Sequence, residues 1–174
     1  MSMIKINDPK KAESLQITAN FSGKEFWCNH CKQLLIDENL VKKLQQLRDL
    51  YGTGIIITSG YRCSTHNARV GGSNQSLHKN GKAVDFIMAG RHNAFQVFTE
   101  ACKIFSRVGL YQSTNNPMSA YIHVDIGEKG TWWLSYPISS GSKIKRVYAY
   151  YKSLSNLAKA VQEDKQRDWL NMTI

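Results

Sequence analysis

Long apolar runs, a secretion signal and acidic side chains are what this 174-residue chain has least of. Ile55-Ile56-Ile57 reads as a short strand, far below the roughly 18–20 apolar residues that a membrane span requires. Met1 to Asn20 carries Lys5, Lys10 and Lys11 with no apolar stretch after them, so no signal peptide is expected. On that reading the protein is made in the cytoplasm, has no integral membrane association, and acts outside the cell only after lysis or delivery by another system. Four cysteines do not demand the disulfide scaffold of a small secreted chain. Three prolines and 12 glycines exclude collagen-like and proline-rich architectures. Asp and Glu total 13 against 23 Lys and Arg, a formal net charge of +10. That excess asks for an anionic partner: nucleic acid, an acidic membrane surface, or an acidic polymer such as a bacterial wall. With 42% hydrophobic and 10% aromatic residues, the chain is expected to fold around a packed core.

Hydrophobic periodicity then orders the chain. Residues 1–20 are polar and weakly patterned and are expected as an extended arm or cover. Ser22 and Glu25 have capping-box spacing, with Phe21 and Phe26 at staple spacing. Asp37 is placed to cap a helix running to about Tyr51, with Leu40, Leu44, Leu47 and Tyr51 on one face and Gly52 as the stop. Ile55 to Ser59 reads as a buried strand, and Tyr61 to Gln75 as a polar, Gly-rich stretch. Residues 91–106 predict a second amphipathic helix through Phe95, Phe98, Ala101 and Phe105. Val108–Tyr111, Tyr121–Ile126 and Trp132–Tyr136 read as strands, and about Ser153 to Leu170 as a third helix. The expected organisation is a main domain over 21–140 and a helical extension over 141–174 packed on it. Its class is α+β, a small antiparallel sheet carrying the site and flanked by helices.

The chemistry concentrates in two segments. In Ser76-Leu77-His78-Lys79-Asn80-Gly81-Lys82-Ala83-Val84-Asp85, Asn80-Gly81 predicts a two-residue hairpin. That pairing puts Ser76, His78, Ala83 and Asp85 on one face, with His78 and Asp85 as diagonal neighbours able to share an ion. In Tyr121-Ile122-His123-Val124-Asp125-Ile126, strict alternation puts His123 and Asp125 on one side and three aliphatics on the other. If the two segments lie together, His78, Asp85 and His123 form a three-ligand set, the protein contribution to a catalytic zinc. Nitrogen and oxygen ligands suit zinc, although other divalent metals accept them.

These segments resemble the zinc D-Ala-D-Ala carboxypeptidase superfamily of peptidoglycan peptidases, the M15 group, which carries an S-x-H-x-x-G-x-A-x-D motif and a later metal-binding histidine. Ser76, His78, Gly81, Ala83 and Asp85 match its fixed positions, and Ser59-Gly60-Tyr61-Arg62 matches its upstream S-G-Y-R segment. His123-Val124-Asp125 is similar to the H-x-D ending of one branch, as are Phe21-Ser22, Glu25-Phe26, Cys28, Asn67 and Val70-Gly71-Gly72 to its other segments. The resemblance spans roughly residues 21–127. It implies a hedgehog/DD-peptidase-like fold and one catalytic Zn2+ on His78, Asp85 and His123. The activity implied is amide hydrolysis in peptidoglycan stem peptides or cross-links, by a phage-type lysin or a delivered effector. Arg62 would grip a substrate carboxylate or steady a developing oxyanion, with Tyr61 and Ser76 in the substrate-binding set. Better-known members place an acidic residue three positions before the last histidine, where this chain has Ala120. Asp125 is therefore the expected general base, or else a partner that holds a ligand; Glu128 is the weaker candidate.

Several features admit two readings. Cys28-Asn29-His30-Cys31 has the spacing of half a structural zinc site, with only Cys63 and Cys102 left to complete it; plain thiols are the favoured alternative. Trp132-Trp133 either packs in the core or lines the cleft, and His66 and His92 are expected at the surface. Lys143-Ile144-Lys145-Arg146 reads as a solvated basic face, or as a hold on an anionic polymer. Two other functions compete with wall hydrolysis: a non-catalytic metal-containing wall-binding module, favoured by Ala120, and a D,D-dipeptidase or carboxypeptidase on small peptides. No nucleic-acid recognition motif is present. The expected partner is peptidoglycan, bound by a monomer.

Overall fold

The computed structural model describes residues 2–140 and 143–174. The N-terminal residues carry regular structure and lie against the core as a cover. They form β1 (Met3–Ile6), α1 (Pro9–Ser14) and β2 (Gln16–Thr18). β2 pairs antiparallel with β3 (Phe21–Ser22), and β1 with β4 (Leu34–Asp37). Ile4, Ile6 and Ala12 pack against the main core, an apolar contribution too sparse to show as a pattern. The expected capping box is present: Ser22 N donates to Glu25 Oε1 at 2.8 Å and opens a 3-10 turn, Gly23–Phe26.

Helix α2 (Glu38–Tyr51) starts where Asp37 accepts from Asn39 N at 2.9 Å, and ends at Gly52 with φ 61°. Its buried face is Leu40, Val41, Leu44 and Leu47. β5 (Ile55–Ser59) is an edge strand rather than a buried one: Ile55 is buried, but Ile56 is 49% exposed. The polar stretch after it contains α3 (Ser64–Arg69).

The expected hairpin at Asn80-Gly81 is absent. Leu77–Asn80 forms a 3-10 turn closed by Lys82 N to Leu77 O at 3.0 Å, and Gly81 takes the left-handed conformation at φ 64°. The strand that follows, β6 (Ala83–Met88), has both edges filled, by β5 on one side and β8 (Ala120–Asp125) on the other. Residues 76–79 therefore have no edge to pair with.

The remaining elements are α4 (Ala94–Ile104), β7 (Arg107–Gln112), β9 (Thr131–Ser140), β10 (Lys143–Tyr151) and α5 (Leu154–Glu163). The sheet order is β10-β9-β7-β8-β6-β5, antiparallel except for the β7/β9 pair. β10 pairs with β9 from Lys143↔Ser140 to Tyr151↔Trp132. The first part of the expected helical extension is thus a sheet strand, and the 140/141 boundary falls between β9 and β10. The chain end returns to the core through the buried Trp169, Met172 and Ile174. His92 is half-buried, edge-on to Tyr51 at 5.8 Å, rather than at the surface.

α2 and α4 cover one face of this sheet. Val84, Phe86, Val108, Leu110, Ile122 and Val124 meet Leu44, Leu47, Val97 and Phe98 there, all fully buried. Each such side chain contributes about 1.5–3 kcal/mol on burial. Alternation sends the intervening residues to the opposite face. The α+β class with a mostly antiparallel sheet and flanking helices agrees with the sequence expectation. Among the described residues, no helix is long and apolar enough to cross a membrane.

Candidate metal centre

Strand register assembles the site as one row across the sheet. Ser59 opposes Asp85, Asp85 opposes His123, His123 opposes Gly109, Gly109 opposes Trp133, and Trp133 opposes Tyr150. His78 joins from the 3-10 turn that leads into β6. Its Nε2 lies 3.3 Å from Asp85 Oδ1 and 3.2 Å from His123 Nδ1, and His123 Nδ1 lies 2.7 Å from the same Asp85 oxygen. Three ligand atoms about 2 Å from a tetrahedral ion are about 3.3 Å apart, so the donor set fits zinc in number, type and spacing.

Hydrogen bonds on the far side of each ring select the tautomers. His78 Nδ1 donates to Gly60 O at 2.8 Å, which leaves the Nε2 lone pair for the centre. His123 Nε2 donates to Asp125 Oδ2 at 3.2 Å, which leaves Nδ1. Burial lowers the His78 pKa against the pull of Asp85, keeping that ring neutral. Burial pushes Asp85 upward, but His78 and His123 outweigh it and hold the carboxyl well below the ordinary carboxylate range. His123 is opposite: burial lowers it, while Asp125 and Asp85 raise it to about 9. A cation placed between these groups takes over the role of that proton.

Asp125 does not stand where a base would. Its side chain is 3% exposed and lies behind His123, beyond the ring from the ligand atoms. Oδ1 accepts from Gly127 N at 2.9 Å, and Oδ2 accepts from Arg107 Nε at 3.0 Å as well as from His123. The strand alternation holds, and with both oxygens accepting hydrogen bonds the arrangement supports the other expected role, a partner that holds a ligand. Glu128 is exposed on the loop after β8.

Arg62 does reach the centre. Its Nη2 is 3.9 Å from Asp85 Oδ2, and its Nε is buried without a hydrogen-bond partner among the described residues. Its backbone N donates to His78 O at 3.2 Å, tying the S-G-Y-R segment to the ligand turn. Tyr61 lies instead beside Cys31, Cys63 and Cys28, where burial and then those thiols raise its hydroxyl pKa. Ser76 starts the ligand turn, its carbonyl accepting from Lys79 N at 3.1 Å.

An aromatic wall continues the site along the sheet. Trp133 lies 5.3 Å from the His123 ring, and Tyr111 4.8 Å from Tyr121. Gly109 makes room: a Cβ there would lie 2.6 Å from Trp133 Cζ2. The two tryptophans split, Trp133 to this face and Trp132 to the core. Arg146, expected on a solvated basic face, sits over Tyr111 and Tyr121 at 5.4 and 5.8 Å and donates to Gln112 O. Sequence reasoning missed Arg107 and Tyr111 and the parts played by Gly60 and Arg146; alternation along β7 and β10 was the signal that could have placed Arg107, Tyr111 and Arg146.

A second cluster lies beyond Arg62. Cys28, Cys31 and Cys63 offer sulfur atoms all within 4.8 Å of one another. Burial pushes the Cys28 thiol up, yet the Cys31 and Cys63 backbone and the His66 ring bring it to about 6. Cys102 is apart from them, buried in the core.

A family model described as Peptidase M15 matches residues 17–125, a span that contains both clusters. No curated protein matches the chain significantly.

Proposed function

The chain belongs to the peptidase M15 family and is a metallopeptidase, and from that premise we propose that it hydrolyses amide bonds in the stem peptides or cross-links of peptidoglycan. The observation that carries the reading is the ligand triangle of His78, Asp85 and His123 with a cationic Arg62 at its edge and an aromatic wall beside it. Zinc held by those three side chains supplies Lewis-acid chemistry, acidifying a water and polarising the scissile carbonyl.

The chain's own residues do the rest. His78 and His123 are held in the ligating tautomers by Gly60 O and Asp125. Asp125 acts as the orienting partner, and Arg107 Nε holds its carboxylate in place. Arg62 binds a substrate carboxylate or a developing oxyanion with the donors left over from its contact to Asp85. Half-buried Tyr111 and Tyr121, stacked on each other with the buried Trp133 edge-on to Tyr111, offer ring surface to a peptide or sugar. The net charge of +10 holds the enzyme on an anionic polymer, which a small dipeptide substrate would not require. On this reading the protein works as a monomer on the wall, without nucleic acid, after lysis or delivery.

Digestion of defined peptidoglycan fragments, with mass spectrometry of the products, tests the proposal. New peptide termini, each with the gain of one water, are expected. Stable binding to sacculi by zinc-loaded protein with no cleavage would replace it with the binding-module reading, which Ala120 at the family's acidic position favours. Cleavage confined to free small peptides would establish the dipeptidase reading instead.

A further inference from the structure

The cysteine cluster has the make-up of a metal site that the peptidase chemistry does not use. Cys28 and Cys31 lie on one tight turn, in which Lys32 N donates to Cys28 O at 2.8 Å and Lys32 takes φ 54°. Cys63 follows Arg62 directly and caps α3, its sulfur accepting from His66 N at 3.5 Å. His66, expected at the surface, turns its Nδ1 toward Cys28 Sγ at 3.2 Å. The sequence thus brings C-x-x-C from one segment against C-x-x-H from another. A disulfide would use two of these sulfurs and strand the third, whereas a tetrahedral ion uses all of them.

We propose that Cys28, Cys31, Cys63 and His66 bind a structural Zn2+, a second ion separate from the one at His78, Asp85 and His123. The three sulfurs already lie within 4.8 Å of one another, and the His66 ring, now against Cys28 alone, moves onto the ion to give four protein ligands with no position left for substrate, the mark of a structural site. Three thiolates and one imidazole select zinc over magnesium or calcium. His30 approaches Cys63 Sγ at 3.4 Å, but it is exposed while His66 is half-buried. His66 also repeats the two-residue gap of Cys28 and Cys31.

The consequence reaches the peptidase centre through the backbone. The ion staples the segment after Phe26 to the segment after Gly60, where Tyr61 N donates to Phe26 O at 2.7 Å. Arg62 lies between that bond and Cys63, and its own N is bonded to His78 O. The second zinc therefore fixes the backbone on both sides of the residue that faces Asp85.

Cobalt substitution of the intact protein tests this without reference to activity. Thiolate-to-cobalt charge-transfer absorption in the near-ultraviolet is expected, and the sulfur-free peptidase centre cannot produce it. Elemental analysis should find two zinc ions per chain in the native protein, and one in either Cys28→Ser/Cys63→Ser or His123→Ala. The site is refuted by a cobalt spectrum without the thiolate band, by zinc content unchanged in the cysteine variant, or by a native mass two hydrogens light from a disulfide within the cluster. Should the cysteine variant fail to fold, the cobalt spectrum of the native chain still decides. Loss of the second zinc in His30→Ala but not in His66→Ala would overturn the choice of fourth ligand. A wall assay that fails leaves all these readouts intact, so the two proposals fall separately.

Discussion

Replacing Asp125 by Asn separates two roles that a carboxylate next to a histidine ligand can play. The native group receives three N–H donors: Gly127 N on Oδ1, and Arg107 Nε with His123 Nε2 on Oδ2. Asn has one acceptor oxygen. Its better orientation keeps Arg107 and His123 and turns the amide NH2 against Gly127 N, leaving one donor unpaired. With the side chain 3% exposed, that costs about 1–3 kcal/mol, or a melting temperature lower by about 2–12 °C for a chain of this size. The bond to His123 also loses its charge, so zinc affinity at the peptidase centre should fall about 10–100-fold. At saturating zinc, cleavage should stay within about tenfold of wild type. A general base would behave otherwise: its loss costs about 10²–10⁴ in rate and leaves metal affinity alone. Chelator competition for zinc, run beside cleavage of a soluble stem peptide, reads both quantities. Unchanged zinc affinity with a hundredfold or greater loss of rate at saturating zinc would refute the orienting role.

Gly60→Ala should destabilise the protein by about 1–3 kcal/mol or more, because its Cβ would lie 2.5 Å from Phe26 Cα, a backbone atom with no rotamer to yield; an unaltered thermal unfolding curve would contradict this. In the metal-free protein His123 holds its proton up to about pH 9, above its ordinary value, so zinc must displace that proton at lower pH. Apparent zinc affinity should rise by up to about tenfold per pH unit toward pH 9 and then level off. Titration calorimetry in the Cys28→Ser/Cys63→Ser background, in buffers of differing ionisation enthalpy, measures the proton released, and a pH-independent affinity would count against it. Binding to sacculi should weaken as salt rises, while cleavage of a short soluble peptide changes much less; equal salt sensitivity in the two assays would remove charge from the wall-binding account.

Much of the site was legible because its residue types sit in local patterns. Alternation in β8 placed His123 and Asp125 on one face and Ile122 and Val124 on the other, and the core confirms that division. The cap at Asp37 and the stop at Gly52 were equally local, since each rests on hydrogen bonds within a few residues. The hairpin at Asn80-Gly81 failed for a non-local reason. The turn sequence suits either a hairpin or the end of a 3-10 turn, and β5 and β8 had already taken both edges of β6. For Asp125 the face was predictable, and so was the local contact from Gly127 two residues on, but Arg107 reaches it only through the pairing of β7 with β8.

By itself the sequence determined which donors exist and how they alternate: His78, Asp85 and His123 as ligands in waiting, an aliphatic stripe behind two of them, and two short cysteine motifs. Only the tertiary structure decided which of them meet. Cross-strand register sets Asp85 against His123, His123 against Gly109, and Gly109 against Trp133, while two segments closed by Tyr61 N to Phe26 O bring Cys63 and His66 to Cys28. Those pairings are set by the burial of the opposite, apolar face of the sheet, an energy summed over distant segments that no local stretch contains.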